Sequence, residues 1–201
     1  MPRLQSITRR LSLCALAAVL AGCATTVHPP GVTAGAYRDT IELSGRLQVK
    51  YQKDNQPGFV AGNFEWSQQP GSIDVTLASP TGQTMATIKV TPEQATLIQA
   101  NAAPRTAKDI DTLSAQALGW SLPVSGLRDW LQGYATDASG KRFAASPAQN
   151  EVFTADGWRL RFVSWQDAQA GTAMPRVIRA ERSATATTEE LAIDIVINPA
   201  A

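Results

Sequence analysis

The chain has 201 residues, a formal net charge of +1, one histidine and two cysteines, with 44% apolar and 17% charged residues. That length suits one domain with a real core, and the lack of a basic patch excludes nucleic acid as a partner. Cys14 and Cys23 both fall in or at the edge of an N-terminal leader, so no disulfide frames the fold.

The leader opens with Arg3, Arg9 and Arg10, followed by the apolar run Leu11–Leu20. Charged residues, a short apolar run and small residues before a cut site make a secretory signal peptide over 1–22. The run, about ten residues long, is too short for a membrane-spanning helix, which needs ~20. Leu20-Ala21-Gly22-Cys23 resembles the lipobox of bacterial lipoproteins. That resemblance implies cleavage before Cys23 and acylation of its thiol and new N-terminus. Residue 24 is Ala rather than Asp, which favours sorting to the outer membrane. The leader takes three of the 18 Lys and Arg and none of the 17 acids, leaving a net charge of −2.

Residues 23–35 read as a lipidated tether, rich in Thr, Pro and Gly, in which His28 is a solvated spacer. The domain then runs over 36–201, with Tyr37–Thr40 expected as a short helix leading in. Ile41–Gln52 alternates apolar and polar residues, the period of a half-buried strand. Asp54–Gly58 reads as a turn, and Phe59–Gln68 as the return strand with Val60, Phe64 and Trp66 on one face. Pro70-Gly71 leads into Ile73, Val75 and Leu77, and Ser79-Pro80-Thr81-Gly82 into Ala86, Ile88 and Val90. A fifth strand surrounds Ala95–Gln99. Strands this short, joined by tight turns, form an antiparallel meander.

The period changes at a helical insert over 106–133. Thr106-Ala107-Lys108-Asp109 matches a capping box. Ile110, Leu113, Ala117 and Leu118 follow at helical spacing, with Gly119 as the stop. Pro123 opens a second helix, whose stripe is Val124, Leu127, Trp130 and Leu131 and whose end is Gly133. Gly126 inside it costs about 1 kcal/mol relative to Ala. Short strands return at Phe143 and Val152-Phe153 beyond a polar loop at Thr136–Lys141. Longer ones follow at Trp158–Phe162, Val177–Arg182 and Leu191–Asn198. Roughly ten antiparallel strands with one wet face curl, and the helices bury their stripes against the concave side. The expected fold is mainly β with inserted helices, an open antiparallel half-barrel carrying a helical lid or plug.

No catalytic constellation is present: no usable histidine, no free thiol after lipidation, no metal-ligand spacing and no phosphate loop. Asp109 and Asp111 suit a helix N-terminus, and Asp194 reads as a solvated acid. The chain therefore reads as non-catalytic, with neither cofactor nor metal. Of the five tryptophans, Trp66, Trp120, Trp130 and Trp158 can face the space between sheet and helices. That space is either ordinary core or a lined apolar cavity suited to lipid. Its candidate lining is Leu47, Val49, Phe64, Trp66, Val75, Leu77, Ile88, Val90, Leu127, Trp130, Leu131, Trp158, Leu160, Phe162, Ile193 and Ile195.

Several segments together resemble the LolB family of outer-membrane lipoprotein receptors. They are the lipobox, Gly45-Arg46, Phe64-Glu65-Trp66, Leu77–Gly82, Leu122–Gly133 and Ala173-Met174-Pro175. The resemblance implies an open barrel whose cavity takes acyl chains. It also implies a lipid-anchored monomer on the periplasmic face of the outer membrane, receiving lipoproteins from the periplasmic carrier LolA and inserting them into that membrane without a nucleotide. The family's turn carries an exposed leucine used for membrane insertion, where this chain has Thr81. The insertion turn is then Pro80, Thr81 and Gly82, with Met85 as a substitute apolar contact. A carrier for another lipid, or a structural lipoprotein with a solid core and a protein partner, are the alternatives.

Overall fold

The computed structural model describes residues 33–53, 56–118, 124–166, 173–184 and 190–199. Cys14, Cys23, His28, Gly119, Trp120 and Pro123 lie outside them, as do most of the tether and the start of the second helix's expected span.

Strands β1 (Ile41–Lys53), β2 (Gln56–Gln69), β3 (Ser72–Ala78), β4 (Thr84–Val90), β5 (Ala95–Gln99) and β6 (Arg105–Ala107) form the first run. Helices α1 (Ile110–Leu118) and α2 (Val124–Trp130) follow, then a hairpin of β7 (Tyr134–Thr136) and β8 (Arg142–Ala144). The last run is β9 (Glu151–Phe153), β10 (Arg159–Gln166), β11 (Met174–Arg182) and β12 (Leu191–Ile197). All but the small hairpin join one ten-stranded sheet in the order β6-β5-β4-β3-β2-β1-β12-β11-β10-β9. Every neighbouring pair in it is antiparallel, and the outermost strands do not meet. This is the open half-barrel that alternation and short turns demand.

The registers line the inner face in rows. One row runs Leu43–Trp66–Val75–Ile88–Leu97 and another Phe162–Ile178–Ile195–Leu47–Gly62. A third runs Leu160–Ala180–Ile193–Val49–Val60. Polar residues of the same strands face outward, where Arg159 meets Glu151 at 2.9 Å and Arg161 meets Glu181 at 3.5 Å. Asp194, expected to be solvated, instead bonds Arg179 Nε at 2.6 Å, because strand pairing puts the two directly opposite.

Several boundaries differ from the sequence reading. Tyr37–Thr40 is not helical; its backbone and side chains bond across the end of the sheet. Pro57 and Gly58 belong to β2, whose ladder starts at Gln56. Thr106 is no helix cap: it sits in β6, paired with Thr96. Asp109 caps α1, its Oδ1 accepting the Thr112 N–H at 2.7 Å, so the helical insert begins at Ile110. That bond holds the Asp109 carboxyl below the usual carboxylate range. The polar loop at Thr136–Lys141 includes the end of β7 and its turn, where the Asp137 carboxylate accepts from Ser139 and Lys141.

Candidate functional site

The inner face divides into a filled half and a half-open one. Over β10–β12, Trp158, Leu160 and Phe162 are each 0% exposed, and Ile193 and Ile195 are 3% exposed. Trp130 of α2 packs on Trp158 with ring centroids 5.8 Å apart, and Phe143 of β8 stacks on Phe162 at 6.5 Å. Gly126 makes the first contact possible: a Cβ there would stand 2.7 Å from Trp130 Cζ2, so the indole folds back over the bare helix turn. Gly133, at φ +84°, then ends the helical segment, and Leu131 before it is buried. These candidate lining residues are solid core.

Over β1–β4 the cover is thinner. Val49, Phe64, Trp66 and Val75 are buried, while Leu47, Leu77, Ile88, Val90 and, from α2, Leu127 are only partly so. Leu47 pairs across the ladder with Gly62, where a Cβ would stand 2.5 Å from the Ala78 carbonyl oxygen. Gly45 plays the same part, since a Cβ there would meet the Val196 carbonyl and lie 2.7 Å from the Phe64 ring. Glycine inside a strand marks such close approaches, a signal the alternation pattern alone passes over. The helices reach this half as a linked pair, because Asp111 of α1 accepts both the Ser125 N–H (3.1 Å) and its hydroxyl (2.5 Å).

The half-open strip is closed at one end. Where β1 begins, buried Gln68 bonds the Tyr37 hydroxyl at 3.2 Å and the Arg38 carbonyl at 3.4 Å. Gln132 holds Arg38 by both its N–H (2.9 Å) and carbonyl (3.0 Å), and Arg128 reaches Tyr37 at 3.1 Å. Ala34 and Gly35, read as tether, are bonded to Ala145 and Ala173. A groove of about 560 Å³ at this end mixes the charged Arg38, Glu42, Glu65 and Asp74 with the apolar Leu43 and Met174.

At the opposite end, where β1 turns into β2 and β3 into β4, apolar side chains are left uncovered. Val60 is 42% and Met85 39% exposed. The β3–β4 link is a four-residue turn closed by Gly82 N–H to the Ser79 carbonyl at 2.9 Å, with Pro80 in the first central position. Pro80, Thr81 and Gly82 are all exposed, and the Thr81 hydroxyl is held by Ser79 Oγ at 2.8 Å. A register shift follows, pairing Ala78 with Thr84 and Leu77 with Ala86, so Met85 has no partner of its own. Its methyl lies 3.5 Å from where a Gly62 Cβ would be, on the side of the sheet that Leu47 faces. The turn thus joins the open end of the strip through Met85. Among the described residues no cluster of acids, histidines and cysteines could hold a metal.

The family described as "Outer membrane lipoprotein LolB" matches residues 39–199. The chain is 37% identical to the outer-membrane lipoprotein LolB of Cupriavidus pinatubonensis, covering 96% of this chain and 95% of that one. It is 36% identical to the LolB of Ralstonia nicotianae, covering 81% and 80%. A solved structure of a LolA superfamily protein from Nitrosomonas europaea aligns with a TM-score of 0.48 at 9% identity, over 84% of this chain and 89% of that one. The match across nearly the whole domain leaves one assignment: the chain belongs to the LolB family of outer-membrane lipoproteins.

Proposed function

We propose that this protein accepts lipoproteins by taking their acyl chains along the half-open strip of its inner face and releases them into the outer membrane. The supporting observation is the continuity of apolar surface from partly buried Leu77 and Leu47 to exposed Val60 and Met85 at the open end. Family membership gives the coarser role, lipoprotein localisation at the outer membrane by a protein that is not an enzyme. The finer parts are delivery by the carrier LolA, a monomeric receptor held by lipid at Cys23 after removal of residues 1–22, and membrane entry led by Pro80, Thr81, Gly82 and Met85. With the other end shut by Gln68, Tyr37 and Arg38, an acyl chain enters and leaves at the turn end. No energy source is needed if the strip covers more apolar surface than the carrier's, since each buried methylene contributes about 0.8 kcal/mol.

The test is transfer itself. Carrier loaded with an isotopically labelled lipoprotein is mixed with the protein, and complexes are read by native mass spectrometry. The expected result is movement of the labelled lipoprotein, acyl chains included, onto this chain, with a shift in tryptophan emission from Trp66. Retention of all label on the carrier would overturn the reading.

A further inference from the structure

The β1–β2 hairpin runs on past its neighbour on one side. β3 meets β2 only from Asn63 onward, so between Gln56 and Gly62 no described strand covers that edge of β2. On the other side β1 stays paired with β12 as far as Tyr51. The overhanging segment exposes two consecutive large apolar residues on opposite faces, Phe59 (59%) and Val60 (42%). Neither face is therefore part of a core there. Lys50 stands directly across the ladder from Phe59, on the same outward face, and among the described residues Glu190 is the acid in a shallow groove also lined by Tyr51, Pro57 and Gly58.

We infer that this hairpin is a second lipid-contacting element, distinct from the Pro80–Gly82 turn, that wedges Phe59 and Val60 into the interfacial layer of the membrane. The outer membrane is the surface this family occupies. An apolar pair flanked by a lysine suits an anionic lipid surface. The geometry also sets the depth. Ser44 accepts from Asn198 and Gln52 donates to Glu190, so even-numbered residues of β1 bond β12 and odd-numbered ones bond β2. By the same alternation, the backbone groups of Phe59 and Ala61 point away from β1 into the uncovered edge. Unpaired backbone is not tolerated in hydrocarbon, and Pro57 has no N–H to offer a further strand. The wedge therefore stops among the headgroups.

The chain's own attachment fits this orientation, and here the inference rests on the proposed lipid at Cys23. The domain takes up the chain at Ala34, at the end opposite the hairpin. The roughly ten residues from Cys23 to Thr33 span at most ~35 Å, and β1 from Ile41 to Tyr51 runs ~33 Å. A tether drawn out along the sheet is long enough to let the hairpin end meet the membrane that holds the lipid.

The experiment uses the lipidated chain in vesicles of phosphatidylethanolamine and phosphatidylglycerol, with a fluorophore on Gln56→Cys or, as a control on the outer face at the other end, Glu42→Cys. On this reading the engineered thiol is the only free one, because Cys14 leaves with the leader and Cys23 is acylated. Lipids carrying a shallow quencher are expected to quench the Gln56 label, deep quenchers much less, and neither to quench the Glu42 label. Adding Phe59→Ser, which leaves the inner-face Val60 in place, is expected to weaken contact about tenfold, with circular dichroism unchanged since the Phe59 side chain is exposed. Equal quenching at Gln56 and Glu42, deep quenching at Gln56, or no effect of Phe59→Ser would overturn the inference. Lipoprotein acceptance is measured on the same vesicles. Its failure alone overturns the acyl-acceptor reading, while absence of quenching at Gln56 in the chain that keeps Phe59, with acceptance intact, overturns only the wedge.

Discussion

If the strip beside Gly62 is the acyl site, enlarging a side chain there should separate binding from stability. Leu47 is partly buried and faces a ladder partner with no side chain. Because Leu47 is only partly buried, a tryptophan there can carry its extra ring toward the open side of the strip, so Leu47→Trp should change stability by no more than ~0.5 kcal/mol, about 2 °C or less in melting temperature for a domain of this size. Val75 offers the contrast. It is 5% exposed, between Trp66 and Ile88 in its row. Val75→Trp must push those neighbours off their rotamers at a cost of ~1–3 kcal/mol, or roughly 2–12 °C. Binding should follow a different order. Leu47→Trp should weaken a fluorescent fatty-acyl probe at least about tenfold, a loss of ~1.4 kcal/mol, with no comparable loss of melting temperature. Circular dichroism melts and probe titrations on both variants decide the matter. Equal melting losses would mean that the space beside Leu47 is already filled, and unaltered probe binding by Leu47→Trp would remove the strip from the acyl site.

At the turn, Thr81→Leu should raise the rate of lipoprotein insertion into liposomes and Thr81→Glu should abolish it, with acceptance from the carrier unchanged in both; insertion by Thr81→Glu at the wild-type rate would exclude the tip from membrane entry. Ser125→Ala removes the hydroxyl half of the bond to Asp111, so it should cost about 0.5–1.5 kcal/mol and speed amide exchange in α2 before it affects β10–β12. The lowered pKa of Asp109 means the folded state binds fewer protons than the unfolded chain just below the ordinary value of 3.8. Its stabilising contribution is complete above that value and disappears as pH falls through the folded pKa. Asp109→Ala should therefore flatten the acid limb of the melting curve below about pH 4, and an unaltered limb would show that the cap is not coupled to folding.

The meander was legible because β1 through β5 alternate strictly and are separated by turn residues, so the inward set could be read by parity alone. Short elements were not. The Thr106–Asp109 spacing fits a capping box, yet pairing of Thr106 with Thr96 wins, and the cap passes to Asp109. Asp194 looked solvated because its partner Arg179 lies on a neighbouring strand, invisible to any local pattern. The same limit applies to the site. Sequence identified which side chains face inward, but Trp158 and Leu47 look alike in a hydropathy pattern. What separates them is cover supplied by α2 and β8 from elsewhere in the chain. The register shift that frees Met85 has no sequence marker of its own.

The way the domain takes up its N-terminal segment has a mechanical consequence. Ala34 and Gly35 are bonded to Ala145 and Ala173, and Arg38 is gripped on both its backbone groups by Gln132. Tension arriving from the membrane side thus meets these contacts before it reaches β1. They reach three separate parts of the chain, so on the proposed lipid anchor a pull along the tether would have to break bonds to each of them before it loaded the β1 ladder.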